Sequence, residues 1–197
     1  YIAPRYANLA NVIFDIINEP GTPGDWNSYQ PIAQKWVDLI RFHAPLNLIL
    51  IGGPNYARVL PMPRPSNPEE LINPIEANNI IYVCHIYPGV QPNQSASSWE
   101  QLFGGLADVA PLMISEWGWE YLAPSPCTGL KSTWGAPFKE YVDSKENVGW
   151  IAWIFDQFWR PVMFDENWNL LGGDEYMGES IKQWLYEKKD VYHFQME

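Results

Sequence analysis

Five short apolar runs recur along the chain, each ending in glycine, polar or aromatic residues and separated from the next by a loop and an amphipathic segment. That alternation constrains the fold more than any other feature. The runs "NVIFDII" (11–17), "LILIGG" (48–53), "IIYVCHIY" (80–87), "LMISEWG" (112–118) and "GWIAWIFD" (149–156) read as strands. "LILIGG" has no polar alternation, so it predicts a strand covered on both faces, as in a parallel sheet. Helices are predicted from Tyr29 to Phe42, over 97–108 with Ser97 or Ser98 as cap, over 137–146, and from Met177 to Lys188. In the first of these, Ile32, Trp36, Leu39 and Ile40 share one face; in the last, Met177, Ile181, Trp184 and Leu185 do. The stretch 54–79 is rich in Pro and Asn, with a predicted helical turn around Pro68–Ile72. Strands alternating with helices predict an α/β fold in one domain over 1–197, with a parallel sheet and helices outside it.

With 197 residues, 47% of them hydrophobic, the chain can bury a substantial core. A net charge of -11 disfavours nucleic acid and anionic membrane surfaces as partners and suits a neutral substrate. No run reaches the roughly 20 apolar residues of a membrane span. Tyr1 reads as the middle of a longer chain, so the lack of an export leader says nothing about secretion. Cys84 lies in a strand and Cys127 in a loop; alternation turns Cys84 away from the face of His85, and both read as free thiols. Eleven tryptophans and eleven tyrosines are an excess. Trp26, Trp117, Trp119, Trp134, Trp159 and Trp168 all follow apparent strand ends, and flat rings there suit the C–H faces of sugars.

The strand ends carry the chemistry. Asn18-Glu19, His85-x-Tyr87, Glu116-Trp117 and Trp153 close four of the five runs. In a (β/α)8 barrel such ends converge on one face, which bears the active site. Two glutamates facing each other there are the parts for glycoside hydrolysis. In such a pair one carboxyl must hold its proton, through burial or repulsion by the other, and the second must stay ionised, through accepted hydrogen bonds. Asp15 points the same way as Glu19 by alternation and reads as a buried structural acid. Glu120, Asp156, Asp165 and Asp174 have no metal-loop spacing, and neither a metal nor another cofactor is expected.

Taken in order, these motifs resemble glycoside hydrolase family 5, the cellulase family, over nearly the whole chain. "VIFDIINEP" is similar to the family's fourth strand, "HIY" to its sixth, "ISEWG" to its seventh and "GWIAWIFD" to its eighth. The resemblance implies a TIM barrel of which this chain supplies strands 4 to 8. It implies Glu19 as acid/base, Glu116 as nucleophile, and Asn18 on the sugar 2-hydroxyl. His85 would stand beside the acid/base, Tyr87 would bond to the nucleophile, and Trp153 would floor the central subsite. Trp26, Trp117 and Trp159 are assigned to substrate binding or its support. The implied activity is retaining hydrolysis of β-1,4-glucan, with β-mannan as the alternative, in an extracellular setting. A non-catalytic carbohydrate-binding fragment is the alternative of another class.

The family's strand-two arginine and strand-three histidine have no counterpart here. Full barrels take about 250 residues, 200 at the small end. The expectation is therefore a second polypeptide carrying strands one to three, without which the chain is not a stable, active monomer. A piece of a longer enzyme and an open five-stranded relic are the other readings of the deficit.

Overall fold

The computed structural model describes residues 1–7, 9–90 and 95–189. In chain order the strands are β1 (Phe14–Asp15), β2 (Ile49–Gly52), β3 (Pro63–Arg64), β4 (Asn67–Leu71), β5 (Ile80–Ile86), β6 (Leu112–Trp117) and β7 (Val148–Trp150). Five of them form one sheet in the order β1-β2-β5-β6-β7, every pair parallel. Parallel neighbours in chain order, with helix in three of the four connections, match the construction of a TIM barrel, to which the sheet contributes five strands. β3 and β4 make a separate antiparallel hairpin, so the predicted helical turn around Pro68–Ile72 is a strand instead. Proline at Pro63 and Pro68 is tolerated because this two-stranded ribbon is all edge.

Helix α1 (Ile2–Tyr6) leads into β1. Helix α2 (Trp26–His43) starts before Tyr29, because the Asp25 side chain caps it by accepting the Ser28 N–H at 2.9 Å. It stops at Ala44, next to Pro45, which disfavours a helical residue before it. The crossover between β5 and β6 runs through Ala96–Trp99, a π-type turn at Glu100–Gly104, and Gly105–Ala107. Its cap is Ser95, in a reciprocal arrangement with Ser98, and neither Ser97 nor Ser98 is the cap residue. Helix α3 (Ala136–Asp143) is preceded by a second π-type turn, Lys131–Gly135, and α4 (Gly178–Lys188) closes the described chain.

The core lies between the sheet and these helices. Ile49, Ile51, Tyr82, Cys84, Ile86, Leu112 and Ile114 face Ala33 and Val37 of α2, Phe103, Phe138 of α3, and Ile181 and Trp184 of α4. Cys84 and Cys127 are both buried and free, as alternation implied.

The predicted face of α2 is corrected by the open edge of the sheet, whereas that of α4 is buried at Met177, Ile181 and Trp184. On α2 the buried residues are Trp26, Tyr29, Ala33 and Val37, whereas Leu39 of the predicted face is 61% exposed. That face, roughly a quarter-turn round the helix, borders a cleft with Ile2, Phe14, Ile16 and Trp36 along the free edge of β1. On α4, Leu185 is likewise exposed and lies with Trp150 along the free edge of β7. Both edge strands are shorter than predicted. β1 pairs only at Phe14 and Asp15, and β7 ends at Trp150, although Ile151 N–H and Trp153 N–H still bond to the Ile114 and Trp117 carbonyls at 2.8 and 2.9 Å. Each edge strand has one neighbour instead of two, which shortens the ladder. Ile13, Ile17, Ile151 and Phe155 are left exposed there, Phe155 at 71%.

Candidate active site

Asn18 and Glu19 follow β1, His85 lies in β5 with Tyr87 just beyond it, and Glu116 is in β6. The parallel register therefore brings all five to one end of the arc. Pairing of β5 with β6 runs Cys84↔Ile114 and then His85↔Glu116, so Ser115 is an extra residue in β6. This bulge re-aims the strand end. Strict alternation would send Ser115 and Glu116 to opposite sides, yet both reach the His85 ring.

The geometry is closely knit. His85 Nδ1 lies 2.8 Å from Glu19 Oε1 and 3.4 Å from Glu116 Oε2, and His85 Nε2 lies 2.9 Å from Ser115 Oγ. Tyr87 donates its hydroxyl to Glu116 Oε2 at 3.1 Å, and the Asn18 amide donates to the same carboxylate. One oxygen of Glu19 and one of Glu116 lie within 4.8 Å of each other. With a His85 ring nitrogen these atoms have a spacing that a cation could bridge, and the Glu19–His85 contact is a hydrogen bond.

Of the two carboxyls, Glu116 is the more buried. The Glu116 side chain is 12% exposed and that of Glu19 is 33% exposed. Desolvation raises the Glu116 pKa above its ordinary value; nearby His85 and the bonds from Tyr87 and Asn18 oppose the rise, while Glu19 adds to it. The Tyr87 hydroxyl is pushed far up, by burial first and by Glu116 next, so it stays a donor. The physical reason is position: Glu19 sits in a turn after an edge strand, whereas Glu116 sits in the interior strand β6.

A cavity of about 290 Å³ opens at Glu19, His85 and Tyr87, with Tyr56, Arg58, Val90 and Pro126 as its other walls. Tyr56 and Arg58 were not singled out from the sequence. Asn55, Tyr56 and Ala57 have φ of 55°, 61° and 55°, a left-handed turn that swings the segment over the site. Periodicity carries no signal for such a turn; the only cue is the Gly52-Gly53-Pro54 break before it.

The tryptophans divide. Trp153 is half-buried beside Tyr87 and Cys127, and Trp159 stands edge-on to it with centroids 6.3 Å apart, itself exposed. Trp26 and Trp117 are buried, so of substrate binding or its support only support by packing fits them. Trp26 is buried in α2, with its indole N–H donated to the Asn73 carbonyl at 2.7 Å. Trp117 packs among Trp119, Phe138, Trp150 and Trp184 on the helix side of the sheet. Trp119 and Trp134 are core as well, and Trp168 is exposed.

The remaining acids are spent locally. Asp15 is exposed at the edge strand and accepts the Ile17 N–H at 3.3 Å, although the protein around it still raises its pKa by desolvation. Asp156, Asp165 and Asp174 accept backbone N–H groups of nearby turns. Glu120 is fully buried, paired with Arg160 and accepting the Val162 N–H at 3.1 Å, which ties the loop after β6 to the loop after β7.

A family model described as cellulase (glycosyl hydrolase family 5) matches residues 1–158. The chain belongs to glycosyl hydrolase family 5. Among relatives in the family, Endoglucanase E-5 of Thermobifida fusca is 24% identical over 193 residues, covering 95% of this chain and 39% of its own length. Endoglucanase Z of Dickeya dadantii is 33% identical over 118 residues, or 59% of this chain and 25% of that protein. A β-glucanase of Saccharophagus degradans, solved in complex with cellotetraose, superposes with a TM-score of 0.78 at 26% identity, covering 96% of this chain and 58% of that one. The chain thus spans less than two thirds of the length of each of these relatives. Among the described residues no helix is long and apolar enough to cross a membrane.

Proposed function

We propose that residues 1–197 are the strand-4-to-8 part of a retaining endo-β-1,4-glucanase catalytic domain. The carrying observation is that Glu19 and Glu116 meet at one imidazole nitrogen, with oxygens within 4.8 Å of each other. Retaining enzymes hold their two carboxyl groups about 5–5.5 Å apart and inverting ones about 6.5–9.5 Å. Oxygens that approach this closely favour the retaining arrangement over the inverting one.

In this reading Glu19 gives its proton to the glycosidic oxygen while Glu116 attacks the anomeric carbon. The leaving sugar departs and a glycosyl ester on Glu116 remains. Glu19, now ionised, takes a proton from water as that water displaces Glu116, which restores both groups. Tyr87 and Asn18 hold Glu116 as an acceptor, and Trp153 with Trp159 offers a ring surface to the sugar. Cellotetraose in the Saccharophagus degradans relative favours glucan over mannan as substrate. A polymer substrate favours an extracellular place of work. Three further β/α units, on a second polypeptide or on the same one, would close the arc.

The test is hydrolysis of β-1,4-glucan and β-mannan by the closed protein, with Glu19→Gln and Glu116→Gln beside it. Each substitution should cut kcat by about 10³-fold or more while glucan still binds. Binding with no hydrolysis in the unsubstituted protein would make it a carbohydrate-binding barrel. Product analysis by NMR should give the β-anomer first; the α-anomer would exclude retention.

A further inference from the structure

Glu120 is a buried carboxylate that the two-glutamate chemistry does not use. It is 0% exposed, so it is out of reach of a bound sugar and of bulk water. We propose that Glu120 is a positioning residue for sugar binding: by clamping Arg160 and Val162 it fixes Trp159 at the angle to Trp153 that makes a sugar-binding corner. The proposal rests on the reading of Trp153 and Trp159 as the ring surface for the sugar, and it names what sets that surface.

Two loops meet at this carboxylate. The loop after β7 is closed at its base, where the Met163 N–H bonds to the Asp156 carbonyl at 3.1 Å. Trp159 stands 66% exposed within it, while Pro161, Val162 and Met163 are buried. Glu120 reaches across from the loop after β6, pairing with the Arg160 guanidinium and accepting the Val162 N–H at 3.1 Å. Its own backbone is fixed in turn. The Glu120 N–H bonds to the Cys127 carbonyl at 3.0 Å, and the Glu120 carbonyl accepts from Ala123 and Gly129, both at 3.3 Å.

The loop that carries Glu120 also backs Trp153. Ala123 and Cys127 are buried with Tyr87, and Trp153 packs on that cluster. The Cys127 thiol lies 4.0 Å from the Arg160 carbonyl. Glu120 thus couples the residues behind one ring to the residue that follows the other. The two rings meet edge-on, with centroids 6.3 Å apart and planes at 84°. A floor and a wall at right angles fit a flat sugar ring only while the angle is kept, and an exposed ring on a loose loop does not keep it.

Holding this loop with a charge is the costly choice. A carboxylate out of water is stable only when paired and hydrogen-bonded, whereas an apolar side chain would fill the same space at less cost. What the carboxylate adds is direction: a planar guanidinium and a backbone N–H, both facing it, fix the chain at Arg160 and at Val162 in orientation as well as distance.

The test is a double-mutant cycle on affinity, in the full-length protein carrying Glu116→Gln so that binding is read without hydrolysis. Calorimetric titration with a soluble β-1,4-linked glucose tetramer, well below every melting temperature, gives Kd for this parent, Glu120→Gln, Trp159→Ala and the two together. Glu120→Gln should raise Kd about tenfold. Added to Trp159→Ala it should change Kd less than about twofold, because the ring it places is gone. A merely structural Glu120 would lower the melting temperature and leave Kd where it was. An unchanged Kd in Glu120→Gln, or losses that multiply in the double variant, overturns the proposal. If Glu120→Gln does not fold, Arg160→Gln at the exposed end of the pair keeps a donor for the carboxylate and should show the same rise and the same non-additivity with Trp159→Ala; an unchanged Kd or multiplying losses there overturn the proposal equally. A Trp159→Ala variant that binds as tightly as its parent overturns the reading of the ring surface, and the proposal with it.

Discussion

Tyr87 and Glu116 are joined by a hydroxyl-to-carboxylate bond of 3.1 Å at a place where both are largely shielded from water. Burial works against the charge on Glu116, and the Tyr87 hydroxyl is one of the groups that hold it. Tyr87→Phe should therefore raise the Glu116 pKa further. Bonds to charged groups contribute about 1.5–3 kcal/mol, so the acid limb of kcat/KM should rise by about 1–2 pH units. A pH–rate profile of the closed protein checks this, and an unmoved acid limb would refute it.

The raised pKa of Glu116 also ties stability to pH. A carboxyl whose folded pKa exceeds its unfolded value favours folding below the ordinary 4.5, and that contribution is lost as pH rises through the folded value. Glu116→Gln removes the cost of burying the charge. Its melting temperature should exceed the parent's by roughly a few degrees near neutral pH and match it well below pH 4.5. Calorimetry at both pH values measures the difference.

Gly135 lies against the Trp119 ring, where an added Cβ would stand 2.6 Å from the nearest ring carbon. Neither side can yield cheaply, because Trp119 is itself packed between Trp117 and Trp134. Gly135→Ala should destabilise by about 1–3 kcal/mol, read as a lower denaturant midpoint with little change in slope.

The free edges of β1 and β7 leave Leu39, Ile151 and Phe155 in water. Exposed strand edges invite pairing with other chains, and each large apolar side chain left wet forfeits about 1.5–3 kcal/mol. Residues 1–197 prepared alone should associate, as measured by sedimentation, and Leu39→Lys with Phe155→Lys should reduce association. Adding a polypeptide with the three missing β/α units should give a discrete, cooperatively melting species. A monodisperse, cooperatively folded monomer of the isolated chain would contradict this.

Glu19, His85, Tyr87 and Glu116 were legible in the sequence because each stands where an apolar run stops. A strand buried on both faces has no other reason to end in an ionisable group, and the order of such ends in a parallel sheet fixes which of them meet. The five strands and α4 were readable for the same reason: their signal is local. Helix faces were read less well. Ile32, Trp36, Leu39 and Ile40 do share a face, but that face borders an open edge, and the face that is buried carries Tyr29, Ala33 and Val37.

By itself the sequence determined the alternating β/α order and the residues at the strand ends, since both follow from chain-local periodicity and its interruption. Only the tertiary structure decided which tryptophans are core and which line the cleft. Trp26 and Trp117 share a composition signal with Trp159 but not its surroundings. The left-handed turn at Tyr56, the bulge at Ser115, and the deeper burial of Glu116 than of Glu19 were decided the same way. Periodicity states which side chains share a face, whereas burial and charge depend on what packs against that face, and those neighbours lie tens of residues away along the chain.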